Sequence, residues 1–476
     1  MRPIPWFVGK DELRSLSKND LVRLVLRLHT ENVSLKERMD AIEERLARGR
    51  KDSSTSSKPP SSDIAKPPKP KPKKGGKKRQ IGGQPGHKKH EQKPIPPEDV
   101  DAHYEYSLAN CPRCGGSLKN SSRRTRTNQQ VDLVGRSVRV TEHEAPAFWC
   151  PRCRSHHYAE FPAVVASGFF GPRMKALVAY FKGACHMSYA TIQAFLADVY
   201  RVPASTGYLT KVVLEVGMAL GVPYEELLAV LPDAPVLNVD ETGHKDRGKR
   251  YWTWCFRAAD FTVFKIDPSR GACVLKAVLG DAFGGVLGAD YYSAYRSYMG
   301  DDVRVQFCMA HLIRDVRYLT TLLDKVTKNY GERVLKALKA LFKIYHRREK
   351  MSPGRFLTQM EKAKQHLIKK ALGAPARTEA RNLAKRFKDH AESYFRFITE
   401  PGVEPTNNAA EQAIRFVVID RRITQGTRGT RGQRWSERIW TTMATCAAQG
   451  RSTFKFICQA MDAHFSGSAP PSLLPT

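Results

Sequence analysis

The stretch VLNVDETG, residues 236–243, is an apolar run that ends in two adjacent carboxylates, Asp240 and Glu241. Its apolar and β-branched residues predict a buried strand. The chain around it is strongly basic, with 79 Lys and Arg against 47 Asp and Glu and a formal net charge of +32. Acid at the end of a buried strand needs an explanation, because desolvating a carboxylate without a counter-ion is costly.

Neighbouring runs extend this pattern into a sheet. RYWTWCFRAAD (250–260) and FTVFKIDPSRG (261–271) predict two more strands, and ACVLKAVLGDAF (272–283) predicts a helix. GGVLGADYYSAY (284–295) repeats the apolar strand that ends on a carboxylate, here Asp290, and VRVQFCMA (303–310) predicts a further strand. Strands and helices in this order indicate a mixed α/β sheet.

Two aspartates on neighbouring strands can lie within a few ångströms of each other. Either both face solvent or a divalent cation holds them, and carboxylate oxygens suit Mg²⁺ or Mn²⁺. Two such ions, about 4 Å apart, clamp the attacking and leaving oxygens of a phosphodiester during in-line displacement. The basic surface would then hold DNA, and Asp240 with Asp290 would hold the metals that cut it.

A site of this kind usually needs a third carboxylate. EPTNNAAEQAIRFVVIDRR (404–422) offers Glu411, at the start of a helix that Thr406 or Asn407 can cap. Glu404 and Asp420 are rival candidates. For each of these acids the alternative is an ordinary surface charge, which spacing alone does not exclude.

Four of the ten cysteines form two C-x-x-C pairs, Cys111 with Cys114 and Cys150 with Cys153. Each pair makes a tight knuckle, and two knuckles supply the four soft ligands of one tetrahedral, structural Zn²⁺. QQVDLVGRSVRVTEHEAPAFW (129–149) alternates like a strand pair and would fill the long gap between the knuckles. A redox pair or unliganded thiols are the alternatives, and the nearby histidines read as surface residues: His143, His156 and His157.

The N-terminal part predicts a helix with a heptad repeat. Apolar residues recur every seven positions at a and d, with Asn32 at one a position, a device that fixes register in two-stranded coiled coils. The alternative is one amphipathic helix packed on its own protein. The a and d residues are Val25, Asn32, Met39 and Leu46, and Leu21, Leu28, Leu35 and Ile42.

Residues 49–100 have Ser, Pro and Lys but few large apolar residues, which predicts an extended basic tether, either along DNA phosphates or merely solvated. Three helical runs follow, with Ser188 and Ser205 as expected caps. Two of these helices with a tight turn would suit a helix-turn-helix that reads DNA, although many helical pairs touch no DNA.

The charge excess indicates a polyanionic partner, with nucleic acid ahead of a membrane surface. No run approaches the roughly 18 apolar residues of a membrane span, and the first residues lack the order of a secretory signal. We therefore expect a cytoplasmic protein without a membrane partner, associated with the nucleoid.

Four motifs follow one another along the chain: VDETG (239–243), GADYYSAY (288–295), CMAHLIRD (308–315) and EPTNNAAEQAIR (404–415). With SSKPPSSD, GGQPGH and the paired CPRC knuckles upstream, they resemble the transposases of the bacterial insertion sequence 66 family over nearly the whole chain. The resemblance implies a DDE transposase with an RNase H-like core, in which Asp240, Asp290 and Glu411 hold two metal ions. His311 resembles the histidine of a C-x-x-H that follows the second acid in several DDE families, and is a weaker candidate.

The implied reaction is attack by water at the element's ends to free 3′-hydroxyls, which then attack target DNA. The expected partners are double-stranded DNA, further copies in a homodimer or larger oligomer, and accessory proteins of the same element. The alternatives are a catalytically silent DNA-binding or regulatory protein of the same fold, and an RNase H-like nuclease without strand transfer.

The fold expected is multidomain α/β, and its segments follow one another along the chain. They are a coiled-coil helix (11–48), a disordered linker (49–100), a zinc ribbon (101–165), a helix-turn-helix-like DNA-binding region (166–232), the core's first part (233–318), a helical insertion (319–400), the core's second part with C-terminal helices (401–465), and a disordered tail (466–476).

Overall fold

The computed structural model describes residues 17–49, 95–104, 110, 113–117, 129–131, 138–300 and 303–475. The chain forms two compact units, one of Met1–Pro67, Ala145–Ala197 and Val202–Thr476, the other of Pro68–Glu144 and Asp198–Arg201. Most of the predicted linker, and Cys111, lie outside the described residues.

The first part of the chain contains one long helix and a small hairpin. Helix α1 (Lys18–Gly49) carries the heptad. Strands β1 (Phe148–Cys150) and β2 (Ser155–His157) pair antiparallel around the second C-x-x-C. The strand pair predicted between the two knuckles is not formed in the described residues there, 129–131 and 138–147, which lack regular structure. Residues 132–137 of the alternating run lie outside the described residues, and its last two residues, Phe148 and Trp149, belong to β1.

A mixed five-stranded sheet forms the centre of the larger unit, as predicted. Strands β3 (Val236–Asp246), β4 (Lys249–Arg257) and β5 (Thr262–Asp267) are antiparallel, while β6 (Val286–Ala289) and β7 (Arg304–Phe307) run parallel to β3. The order across the sheet is β5-β4-β3-β6-β7. A two-residue turn with positive φ at Arg247 and Gly248 joins β3 to β4, which is the geometry that suits the twist of a hairpin.

Helices surround this sheet. Before it come α2 (Ala163–Ala166), α3 (Pro172–Gly183), α4 (Tyr189–Tyr200), α5 (Thr206–Ala219) and α6 (Gly221–Val230). Between and after the strands come α7 (Ala272–Leu279), α8 (Ser293–Met299), α9 (Met309–Leu319), α10 (Lys325–Tyr345), α11 (Pro353–Leu372), α12 (Thr378–His390), α13 (Asn408–Thr424), α14 (Thr430–Ala448) and α15 (Thr453–Ser466). Short 3-10 turns lie at Pro97–Asp99, Leu231–Asp233, Arg348–Lys350, Glu392–Tyr394 and Arg396–Ile398.

Two serines act as the expected caps. Ser188 Oγ accepts a hydrogen bond from Thr191 N, and Ser205 Oγ accepts one from Tyr208 N. Each satisfies a backbone donor that the first turn of its helix leaves free.

Helices α3 and α5 share a core with the C-terminal helices α14 and α15. Gly183 permits a close approach, since a Cβ there would lie 2.5 Å from Ile439. In the same core the fully buried Lys175 Nζ pairs with Glu215 at 2.9 Å. The helices before the sheet are therefore packed onto the end of the chain and do not form a core of their own.

The outer edge of β5 is satisfied by side chains of α14. The N–H groups of Thr262, Phe264 and Ile266 donate to Thr445 Oγ1, Thr441 Oγ1 and Glu437 Oε1. Positions four apart on a helix rise about 6 Å, close to the roughly 6.6 Å between alternate strand residues, so the two series stay in step. The helix thereby closes an edge that would otherwise be open to another strand.

The last residues of the chain also differ from expectation. Leu473 is fully buried, and Gln449 Nε2 donates to its carbonyl at 2.9 Å. Arg451 donates to the carbonyl of Ser472 in the same way. The burial of this leucine and the two hydrogen bonds from side chains to main-chain carbonyls hold in place a segment whose composition predicted disorder. Within the described part of the chain, no helix has the length and apolar character to cross a membrane.

Candidate active site

The sheet brings Asp240 and Asp290 side by side. The expected end of the first strand at Asp240 is wrong, because β3 continues to Asp246 through its pairing with β4. Strands β3 and β6 are parallel neighbours in which Asn238 pairs with Gly288, and two residues further along lie Asp240 and Asp290. Gly288 makes this close pairing feasible, because a Cβ there would lie 2.5 Å from Asn238 Oδ1. The predicted juxtaposition of these two strands at the sheet centre is therefore present.

The pKa shifts of the two aspartates indicate that they lie in a cluster of acids. Burial, followed by the negative charges of Glu241, Asp290 and Glu411, raises the pKa of Asp240 well above its ordinary value. Burial also raises the pKa of Asp290, although Tyr292 N–H donates to its Oδ1 at 2.9 Å and opposes the shift. A buried acid whose pKa is raised by neighbouring negative charges, as that of Asp240 is, lacks a sufficient positive partner, which a bound cation would supply.

Helix α13 contributes the third acid, and Asn407 attaches its start to the sheet. Asn407 Nδ2 donates to the Val239 carbonyl at 2.8 Å, and Asn407 N–H donates to Cys308 Sγ at 3.2 Å. The predicted side-chain cap at Thr406 or Asn407 is wrong, since Asn407 occupies the N-cap position and its side chain makes no hydrogen bond to the helix. Its side chain instead fixes α13 beside Asp240, with Glu411 in the first turn.

Two cationic or polar groups face Glu411. His311 Nδ1 lies 3.6 Å from Glu411 Oε1, and Arg314 Nη2 lies 3.6 Å from Oε2. Burial, with the charge of Arg314, lowers the pKa of His311 to about 4. The rival acids lie elsewhere: Glu404 accepts a hydrogen bond from Tyr345, and Asp420 pairs with His186.

The Glu241 side chain makes its own hydrogen bonds, apart from those of Asp240. Its Oε1 accepts from Arg270 Nε at 2.8 Å, and its Oε2 accepts from the Tyr295 hydroxyl. The Arg270 guanidinium lies over the ring of Tyr292, 3.9 Å from its centre, and also over Trp252. Adjacent residues of a strand point to opposite faces, which explains the separation.

The sequence patterns did not mark Arg270 or Arg314, and they marked Asn407 only as a helix cap. Arg270 lies in a loop with no motif to mark it, whereas Asn407 and Arg314 fall inside EPTNNAAEQAIR and CMAHLIRD. Those two motifs were the available signal for the residues that surround Glu411.

A second candidate metal group lies at the hairpin β1–β2. Cys150, Cys153 and His157 each offer a ligand atom, and these atoms lie within 4.8 Å of one another. His157 Nε2 is 3.0 Å from Cys153 Sγ. His157 is exposed, as expected of a surface histidine, and β2 places its ring beside the knuckle.

Comparison with protein families gives three matches. A model described as the transposase IS66 family matches residues 167–434, more than half of the chain. One described as the zinc-finger binding domain of transposase IS66 matches residues 109–154. A family of unknown function matches residues 8–93. No curated protein matches the chain.

Proposed function

Because the chain belongs to the transposase IS66 family, we propose that it cuts and joins DNA at a metal-dependent site made of Asp240, Asp290 and Glu411. The observation that carries this proposal is the effect of Asp290 and Glu411 on Asp240. The pKa of Asp240 is raised by both of the others, which come from separate elements of the fold. The mixed sheet, with two strands parallel to β3, supports an RNase H-like core.

The residues fit divalent cations of the Mg²⁺ or Mn²⁺ type. Three carboxylates converge from β3, the end of β6 and the first turn of α13, and Glu411 Oε1 is buried without a hydrogen-bond partner among the described residues. When bound, two such ions would activate the attacking oxygen and stabilise the leaving oxygen of a phosphodiester. Mg²⁺ takes carboxylate oxygens, which these residues provide.

In the proposed reaction, water attacks a phosphodiester at the element's end, and the bond to the 3′-oxygen breaks to leave a 3′-hydroxyl. That hydroxyl then attacks a phosphodiester of target DNA, and the bond to a second leaving oxygen breaks. Asp240 and Asp290 are held by the rigid sheet, while Asn407 positions Glu411. The protein would thus hold the three carboxylates close together before DNA binds.

A basic stripe on α10 supports the proposal that the helical insertion grips DNA. The opposite face of this helix is buried, and exposed basic residues recur three to eight positions apart on its outer face. These residues are Lys325, Lys328, Lys336, Lys339 and Lys343. Such a stripe suits phosphates, whose contact would make binding fall with salt.

We further propose that α1 pairs with α1 of a second copy as a coiled coil. Its described a and d side chains, from Leu21 to Ile42, are exposed, with Val25 at 63% and Met39 at 61%, so this apolar face has no cover within the described residues. The heptad with Asn32 at one a position is typical of a two-stranded coiled coil.

Replacing Asn32 with Val should therefore change the assembly. The wild type is expected to be a dimer by light scattering, whereas Asn32→Val should give larger or mixed species, because a buried polar a position fixes strand number. Thr30→Val, on the outer face of the same helix, is the matched control. A monomeric wild type, or equal masses for all three proteins, would contradict the coiled coil.

The zinc-finger match and the Cys150–Cys153–His157 group both fit structural zinc. The double variant Cys150→Ser with Cys153→Ser should lose about one equivalent of zinc, because thiolates are the strong ligands of such a site. Elemental analysis of reduced, purified protein measures this loss. Cys185→Ser removes another exposed thiol and should leave the zinc content unchanged; equal zinc in both variants would refute these ligands.

The decisive experiment is a Mg²⁺-dependent assay on DNA that carries the ends of the encoding element. A transposase yields both nicked ends and products joined to target DNA. A nuclease of the same fold yields cuts without joined products. DNA binding without cutting favours the silent, regulatory alternative and contradicts the proposed activity.

A further inference from the structure

Three potential ligands meet where the starts of α9 and α13 touch. Cys308 is the N-cap residue of α9, His311 lies in its first turn, and Glu411 lies in the first turn of α13. Met309 N–H donates to the Pro405 carbonyl, which joins the two helix starts directly. The sulfur, a ring nitrogen and a carboxylate oxygen all lie within 4.8 Å of one another.

Two of these atoms are buried and unsatisfied. Among the described residues, neither His311 Nδ1 nor Glu411 Oε1 has a hydrogen-bond partner. They are 3.6 Å apart, which is too far for a hydrogen bond between them. Leaving a buried polar atom unpaired costs about 1 to 3 kcal/mol, so two facing each other point to a ligand between them.

We propose that Cys308, His311 and Glu411 form a binding site for a divalent transition-metal ion. This inference rests on the proposed function in one respect, since Glu411 is also the proposed third acid for Mg²⁺ or Mn²⁺. Nitrogen and sulfur donors favour Zn²⁺ and Co²⁺, whereas Mg²⁺ takes oxygen. The Asn407 N–H donated to Cys308 Sγ suits a thiolate, and the thiol proton is released when the ion binds.

Such an ion would bind Glu411 and so prevent this carboxylate from completing the proposed catalytic site with Asp240 and Asp290. The Glu411 oxygen that faces His311 would bind this ion, and the other oxygen lies 3.6 Å from Arg314. We therefore expect Zn²⁺ to inhibit DNA joining through this site, with inhibition weakened when His311 is replaced.

The test is Co²⁺ binding, without DNA, to the full-length protein loaded with no more than one equivalent of zinc per chain, so that zinc does not fill the proposed site. Wild type should bind one additional Co²⁺ per chain, with thiolate-to-metal absorption, measured by dialysis and spectroscopy. His311→Gln and Cys308→Ser should weaken this binding at least about tenfold, because each removes a direct ligand. Cys308→Ser keeps an acceptor for the Asn407 N–H, and thermal unfolding of each variant verifies that it is folded.

His244→Gln is the matched control, because His244 is also buried with an unpaired Nδ1, but faces Thr427. It should bind Co²⁺ as wild type does. Equal Co²⁺ binding by wild type and His311→Gln, or no additional Co²⁺ on wild type, overturns the site. Binding needs no DNA, so a protein that binds Co²⁺ at His311 but cuts no DNA refutes only the proposed function.

Discussion

Asp240→Asn is expected to lower DNA cleavage and joining at least about a hundredfold, because metal ions at such sites supply several kcal/mol of transition-state stabilisation. Binding to the element's ends should stay close to that of wild type, since Asp240 faces other acids and contributes no positive charge for phosphate. The measurement compares nicked and joined products with DNA affinity under the same Mg²⁺ and salt.

The same substitution should not lower the stability of the metal-free protein. Burial and three neighbouring negative charges disfavour an ionised Asp240, so a neutral asparagine relieves repulsion. Asp260→Asn, in the exposed turn between β4 and β5, is the control and should behave as wild type in every assay. An Asp240→Asn protein that is folded and cuts DNA normally would remove this residue from the site.

Glu437→Ala is expected to lower the free energy of unfolding by about 2 to 3 kcal/mol, mainly by leaving the Ile266 N–H buried without an acceptor. Glu437 is fully buried on α14, and its other oxygen accepts from Arg434. Arg434 is partly exposed, so the loss of its ion pair with Glu437 adds little to the loss of stability. Denaturant unfolding measures this loss of stability. Glu361→Ala, at an exposed position, is the control, and its free energy of unfolding should stay within about 0.5 kcal/mol of that of wild type.

Glu437→Gln separates the hydrogen bond from the charge. Its side-chain oxygen can still accept from Ile266, so the loss should be smaller than for alanine. Burial raises the pKa of Glu437. Relative to Gln, the wild type should therefore be more stable at low pH and lose this advantage as pH rises from the ordinary Glu value through the raised one. An advantage that grows with pH would contradict the raised pKa.

Much of the sheet was predictable because its signals are local. Apolar runs with β-branched residues marked the strands, and short turn sequences separated them. The failures lie where a distant partner decides the outcome. Residues 129–131 and 138–147, between the knuckles, alternate without forming a strand, and Leu473 is buried while its carbonyl accepts a hydrogen bond from Gln449, 24 positions earlier.

The sequence by itself determined that two apolar strands carry Asp240 and Asp290 at or near their ends, because strand burial and side-chain alternation depend on neighbours along the chain. The structure extends the first of these strands past Asp240 to Asp246. Only the tertiary structure decided which of three later acids faces them. Glu411 does so because Asn407 attaches α13 to β3, whereas Glu404 and Asp420 find partners elsewhere. Spacing along the chain carries no record of that docking, which depends on how a helix packs against a sheet.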